Sequence, residues 1–227
     1  MALCGEDIQV NHPSRSKWVF VNWVPKHTCL TLNACMKSPV WEVQKIPESF
    51  DSVQHYFSSY LYPLLEETRA QVQSSMETID RAPFAEVVGC EECNPYGPYG
   101  ENVYDIKVDC WRNRFNDCGK EPYKTLPGDL FVLADAKPET VSDLQRVGTG
   151  RSSWAFVSVT NVPKNEDEDD IDSSSLYFRV KASKDITYKS LFLVFLVNLI
   201  PNSRIWKALH MSGNLKIIKE VLCTNSV

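Results

Sequence analysis

The sequence lacks long apolar runs, an excess of positive charge and any complete nucleotide-binding signature. Its longest apolar stretch, LFLVFLVNLI from Leu191 to Ile200, falls far short of the roughly 20 residues that a spanning helix needs, and Asn198 interrupts it. A buried strand is the better reading, and no membrane partner is expected. The opening MALCGEDIQVNHPSRSKW has no basic start followed by an apolar core, so no secretory leader is expected. An intracellular location follows as an expectation, with nucleus and cytoplasm both open. A net charge of −5 excludes a broadly basic coat for nucleic acid, yet says little about any single face.

Catalytic patterns are missing as well. VGTGRSSW, Val147 to Trp154, is glycine-rich, but no lysine follows Gly150 and a strand pattern takes the place of the helix that a phosphate loop requires. The four histidines, His12, His27, His55 and His210, are scattered, and no nucleophile–base grouping can be built from the spacing. The acidic run Glu166 to Asp172 lacks the glycine and closing glutamate of a calcium loop and reads as a solvated loop. No activity of the chain's own is expected.

Eight cysteines are present. Without a leader they are expected as reduced thiols. Cys90 and Cys93 have the spacing of a zinc pair, and Cys110 and Cys118 follow as a second, wider pair. A zinc ion on these four is the weaker reading. Ordinary thiols on neighbouring strands and loops are the stronger one, so no cofactor is expected.

What is present is a change of period. Pro47 and Ser49 are start signals for a helix with Asp51 in its first turn. Pro63 predicts a kink or break at Tyr62. Beyond it Leu61, Leu64, Leu65, Thr68, Val72, Met76 and Ile79 form one stripe at three- and four-residue steps. After Pro83 the period becomes two, with strand candidates over 84–90, 102–110, 128–135, 154–162, 176–183 and 191–200. A further strand is possible over 16–24. Helical patterns return over 201–211 and 214–223. Six strands in one block, not alternating with helices, predict an α+β fold: an antiparallel β barrel carried on a helical stalk. The expected organisation is a divergent segment 1–44, stalk helices 45–82, barrel 83–200 and C-terminal stalk helices 201–227.

For nucleic acid, basic residues interleave with aromatics such as Trp111, Phe115, Tyr123, Trp154 and Tyr177, a mixture that suits phosphate contacts plus base stacking. It equally suits an ordinary barrel with charged outward positions. Alternation in LYFRVKAS puts Arg179 and Lys181 on one face, opposite Phe178 and Val180. Arg179 and Lys181 are therefore the leading candidates, with Arg151 and Lys107 beside them.

KIPESFDSVQHYFSSYLYPLLEETRAQVQSSMETIDRAPFAEV resembles the N-terminal, pre-motor part of plant senataxin-like superfamily 1 helicases, as do PGDLFVLADAKPE, GTGRSSWAFVSVTNVPKN and NLIPNSRIWKALHMSGNLKIIKEVL. The likeness runs from about Lys45 to Val227, a stretch treated in plant sequences as a domain of unknown function ahead of the helicase core. The resemblance implies a barrel on a helical stalk that touches RNA or DNA weakly and positions a helicase motor domain. The motor motifs have no matching positions here, so no catalytic residue carries over. Residues 1–44 depart from the family pattern, which fits a truncated paralogue, a short isoform or an incomplete chain. The alternative is a stand-alone module for a protein partner, docking through a stalk stripe of Leu64, Leu65, Val72 and Met76 left uncovered.

Overall fold

The computed structural model describes residues 44–93, 102–113, 123–145, 154–163, 176–183, 186, 191–209, 216 and 220. The expected strand over 16–24, most of the helix expected over 214–223, Arg151 and Cys118 lie outside them. By contacts the described chain forms two units. One takes in 44–67 and 201 onwards, the other 68–200.

In the first unit, helix α1 (Val53–Glu77) begins. Ser52 caps it, its Oγ accepting the His55 N–H at 3.0 Å. The start signals therefore act a few residues later than Pro47 and Ser49 suggested. Buried Phe50 packs edge-on against Tyr56, with ring centres 5.0 Å apart, and this cluster fixes the chain's approach to the helix. Of the kink or break expected at Tyr62, a break does not occur, because α1 runs through Pro63. Proline lacks one donor, but the remaining hydrogen bonds and the buried neighbours Leu64 and Leu65 keep the helix continuous. Helix α3 (Ile200–Leu209) supplies the other described part of this unit, with Asn202 and Trp206 buried.

In the second unit, α1 ends and a 3-10 turn (Ile79–Arg81) leads past Pro83 into the sheet. The strands are β1 (Phe84–Glu92), β2 (Val103–Val108), β3 (Asp129–Ala134), β4 (Trp154–Asn161), β5 (Tyr177–Ala182) and β6 (Phe192–Asn198). All six lie where the period of two predicted them. They pair antiparallel in the order β1-β2-β5-β4-β3-β6, and β6 returns to β1 to close a barrel. Closure leaves no free edge for another strand to extend.

The barrel interior is filled rather than hollow. Trp111, Phe131 and Phe178 are fully buried, with the Trp111 and Phe131 rings stacked at 5.4 Å. Ile106, Val157, Val180 and Leu193 complete the packing. Trp111 and Tyr123 thus serve the core, the latter packing on Trp111 at 4.8 Å. A short helix, α2 (Val141–Gln145), lies between β3 and β4. Asp143 reaches back over the helix start: its carboxylate accepts the Thr140 N–H at 2.8 Å and the Thr140 hydroxyl at 3.1 Å. Trp154 is held by its indole N–H donating to the Leu144 carbonyl at 2.8 Å, so this ring is also buried.

A type II turn starts β3. The Leu126 carbonyl accepts the Asp129 N–H, Pro127 fills the second position, and Gly128 takes the third with φ +85°. The Asp129 side chain is buried behind this turn. It accepts hydrogen bonds from the Tyr123 hydroxyl, the Leu126 N–H (2.6 Å) and the Asn198 amide (2.7 Å). Asn198 in turn accepts the Ile200 N–H at 2.9 Å, joining the end of β6 to the first residue of α3. Burial raises the Asp129 carboxyl above the usual range, although these three donors pull the other way. Burial and the facing Asp129 together push the Tyr123 hydroxyl up.

Candidate functional site

The outer surface of the barrel has two unlike sides. Every residue of β3 is buried, as are Trp154 to Val159 of β4. The outward positions Leu130, Val132, Trp154, Phe156, Val194 and Leu196 are therefore covered as well as the inward ones. On β5 the burial alternates strictly, Phe178, Val180 and Ala182 inward and Tyr177, Arg179 and Lys181 outward, and β2 follows the same rule. Only the side made by β1, β2 and β5 presents a polar, wetted sheet face among the described strands.

Register builds that face row by row. Gly89, Lys107 and Tyr177 lie side by side across the three strands. The next row is Glu91, Asp105, Arg179 and then Asn161 of β4. A third row carries Val103, Lys181 and Ser158. Cross-strand neighbours stand about 5 Å apart at Cβ, so Lys107 and Tyr177 are within reach of one another. Tyr177 is 43% exposed, a rare state for a large aromatic side chain in this barrel. Gly89 adds no side chain beside it, which leaves the row flat.

Arg179 is engaged. Its Nε donates to Asp105 Oδ1 at 2.8 Å and its Nη2 to Asp105 Oδ2 at 2.9 Å, a two-pronged pair at adjacent register positions. The Arg179 fork holds the Asp105 carboxyl well below the ordinary range, at about 2. Asp105 reciprocally keeps the guanidinium protonated to higher pH. Partial burial raises the Cys93 thiol, and the Asp105 carboxylate raises it further. Tyr177 is shifted up, by desolvation first and then by the same carboxylate. Asp105 is thus the partner of Arg179 on this face, and its charge acts on both Tyr177 and Cys93. Sequence reasoning passed over it because an acidic residue does not belong to a basic footprint; its outward position in NVYDIKV, opposite Arg179, was the available signal.

The other expected residues divide clearly. Lys107 and Lys181 share the face with Arg179, whereas Arg151 lies outside the described residues. Trp111, Tyr123 and Trp154 are withdrawn into packing, which corrects their assignment to base stacking. Arg112 pairs with Asp109 beside β1, where Phe84 and Arg112 form an isolated bridge.

The zinc set does not assemble as written. Cys110 is disulfide-bonded, which removes the thiolate a zinc ion would need and corrects the expectation of reduced thiols at that position. Cys90 and Cys93 are free, Cys90 turned toward the core and raised by burial and then by Cys93. Among the described residues no three His, Cys, Asp or Glu side chains converge to hold a metal ion. The docking stripe is also corrected: Leu64, Leu65, Val72 and Met76 are each at most 7% exposed, so the chain itself covers them. No described helix is long and apolar enough to cross a membrane.

No curated protein matches the chain. A family match does exist, and it begins at residue 30, ahead of the Lys45 at which the likeness was expected to start. It carries no catalytic description. Residues 30–227 match the family described as domain of unknown function DUF6469, and the chain belongs to that family.

Proposed function

We propose that the chain is a noncatalytic accessory region, similar to the pre-motor part of senataxin-like superfamily 1 helicases, and that its barrel engages RNA or DNA through the β1–β2–β5 face. The observation that carries this is the row Gly89–Lys107–Tyr177: an exposed ring and an exposed ammonium group side by side on the wetted face. A ring takes a base on its surface, and an adjacent cation takes the phosphate that follows it. Lys181 supplies a second cation two rows away. Lys107, Arg179 and Lys181 stand against Asp105 and the exposed β1 carboxylates Glu86, Glu91 and Glu92, so binding is modest and sensitive to salt. The role is to hold strand for a motor domain.

The test is titration of the purified chain into labelled single-stranded RNA and DNA over a salt series, without ATP. Affinity should fall with salt. Lys107→Glu combined with Tyr177→Ala should weaken binding about tenfold or more, the loss expected from one stacked base and one phosphate contact. Equal binding by the double variant would remove this face from the proposal.

A further inference from the structure

The strongest cation on the face, Arg179, is already occupied. We infer that Asp105 is an internal counter-ion that holds Arg179 in reserve, so that Arg179 contributes to strand binding only when a backbone phosphate displaces the carboxylate. The inference rests on the nucleic-acid reading above and names the residue that limits affinity within it.

Three features carry it. The first is chemical equivalence: a carboxylate and a phosphate offer the same pair of oxygens to a guanidinium fork, and both of Arg179's contacts to Asp105 are of that two-pronged kind. The second is accessibility. The Arg179 side chain is 49% exposed, so a phosphate can reach the guanidinium from solvent, while the 17% exposed Asp105 lies beneath it. The third is position. Asp105 stands on the row next to Lys107 and Tyr177, where its charge opposes an incoming phosphate. Chemical equivalence, exposure of the guanidinium and position thus make Asp105 a restraint rather than a structural anchor for Arg179.

The experiment compares the full chain, Asp105→Asn, Arg179→Gln and the double variant for binding to labelled oligo-dT and oligo-U over a salt series, with thermal unfolding as a control for folding. Asp105→Asn should tighten binding about three- to tenfold and steepen the dependence of log affinity on log salt by about 0.7, the increment for one additional single-strand phosphate contact. Arg179→Gln alone should change affinity less than twofold, and in the double variant it should cancel the gain. Asp105→Ser, which has no amide to re-engage Arg179, gives the same comparison should the Asn variant misfold. Unchanged affinity and slope on removal of Asp105, while the parent chain binds, would overturn the inference and leave the proposed function standing. A gain that persists without Arg179 would overturn it too, reducing Asp105 to simple repulsion. If the parent chain fails to bind but Asp105→Asn binds through Arg179, the restraint stands and the proposed role of the free chain falls. No binding by either would overturn both.

Discussion

Replacing Gly128 by alanine tests the account of how the barrel is closed. Gly128 sits at φ +85°, where a side chain is strained. A Cβ built there would lie 2.4 Å from Ile200 Cγ1 and 2.9 Å from its Cδ1. The left-handed backbone alone costs about 1–2 kcal/mol for a residue with a Cβ. Forcing the methyl against Ile200 adds about 1–2 kcal/mol, since the nearest atoms belong to a side chain that can partly shift. The expected loss is therefore about 2–4 kcal/mol, measured by urea unfolding with tryptophan fluorescence. The two contributions separate in a double-mutant cycle. Ile200→Ala removes Cγ1 and Cδ1, so the added cost of Gly128→Ala in that background should drop to the backbone part alone. A Gly128→Ala loss below about 0.5 kcal/mol would refute the turn assignment. A full loss that is indifferent to Ile200 would refute the close approach while leaving the strained φ.

Two carboxyls should give opposite pH signatures. The Asp105 carboxyl is lowered to about 2 in the folded chain, so its contribution is present above the ordinary carboxylate range and fades as pH falls toward 2. The stability difference between the parent chain and Asp105→Asn should therefore shrink by about 1 kcal/mol across that window, after allowance for solvent screening. The Asp129 carboxyl is raised, so its protonated form is favoured by folding and its contribution is lost as pH rises through the folded value. Parent minus Asp129→Asn should then change in the other sense, growing as pH falls; the reverse trend in urea midpoints would contradict the burial assigned to Asp129. Trp111→Ala should cost about 3–5 kcal/mol, because a fully buried ring stacked on Phe131 leaves a large cavity; a loss under 1 kcal/mol would mean the interior is not packed as described.

The barrel was legible because each of its strands carries a short pattern that physics reads locally. In LYFRVKAS, alternation alone separates Phe178 and Val180 from Arg179 and Lys181, and a sheet with one wet face has no other way to bury the first pair. The same logic failed on the opposite side. In β3 and β4 both faces are covered, so alternation vanishes and a run such as FVLA tells nothing of which residues point inward. The stacking aromatics were misplaced for a related reason. Trp111 follows the end of β2, where no period continues, and its burial depends on Phe131 and Phe178, which are distant in sequence. Pro63 illustrates a different limit: a single missing donor weighs less than the buried leucines that follow it, and only the packed chain decides between them. Asp105 marks the deepest gap. A search for cations finds Arg179, but whether that cation is available depends on pairing between strands that lie some 70 residues apart, and register is a property of the closed barrel. A basic residue on a sheet is thus a candidate contact only after the residue opposite it is known, and here that residue sets whether Arg179 is available to a phosphate.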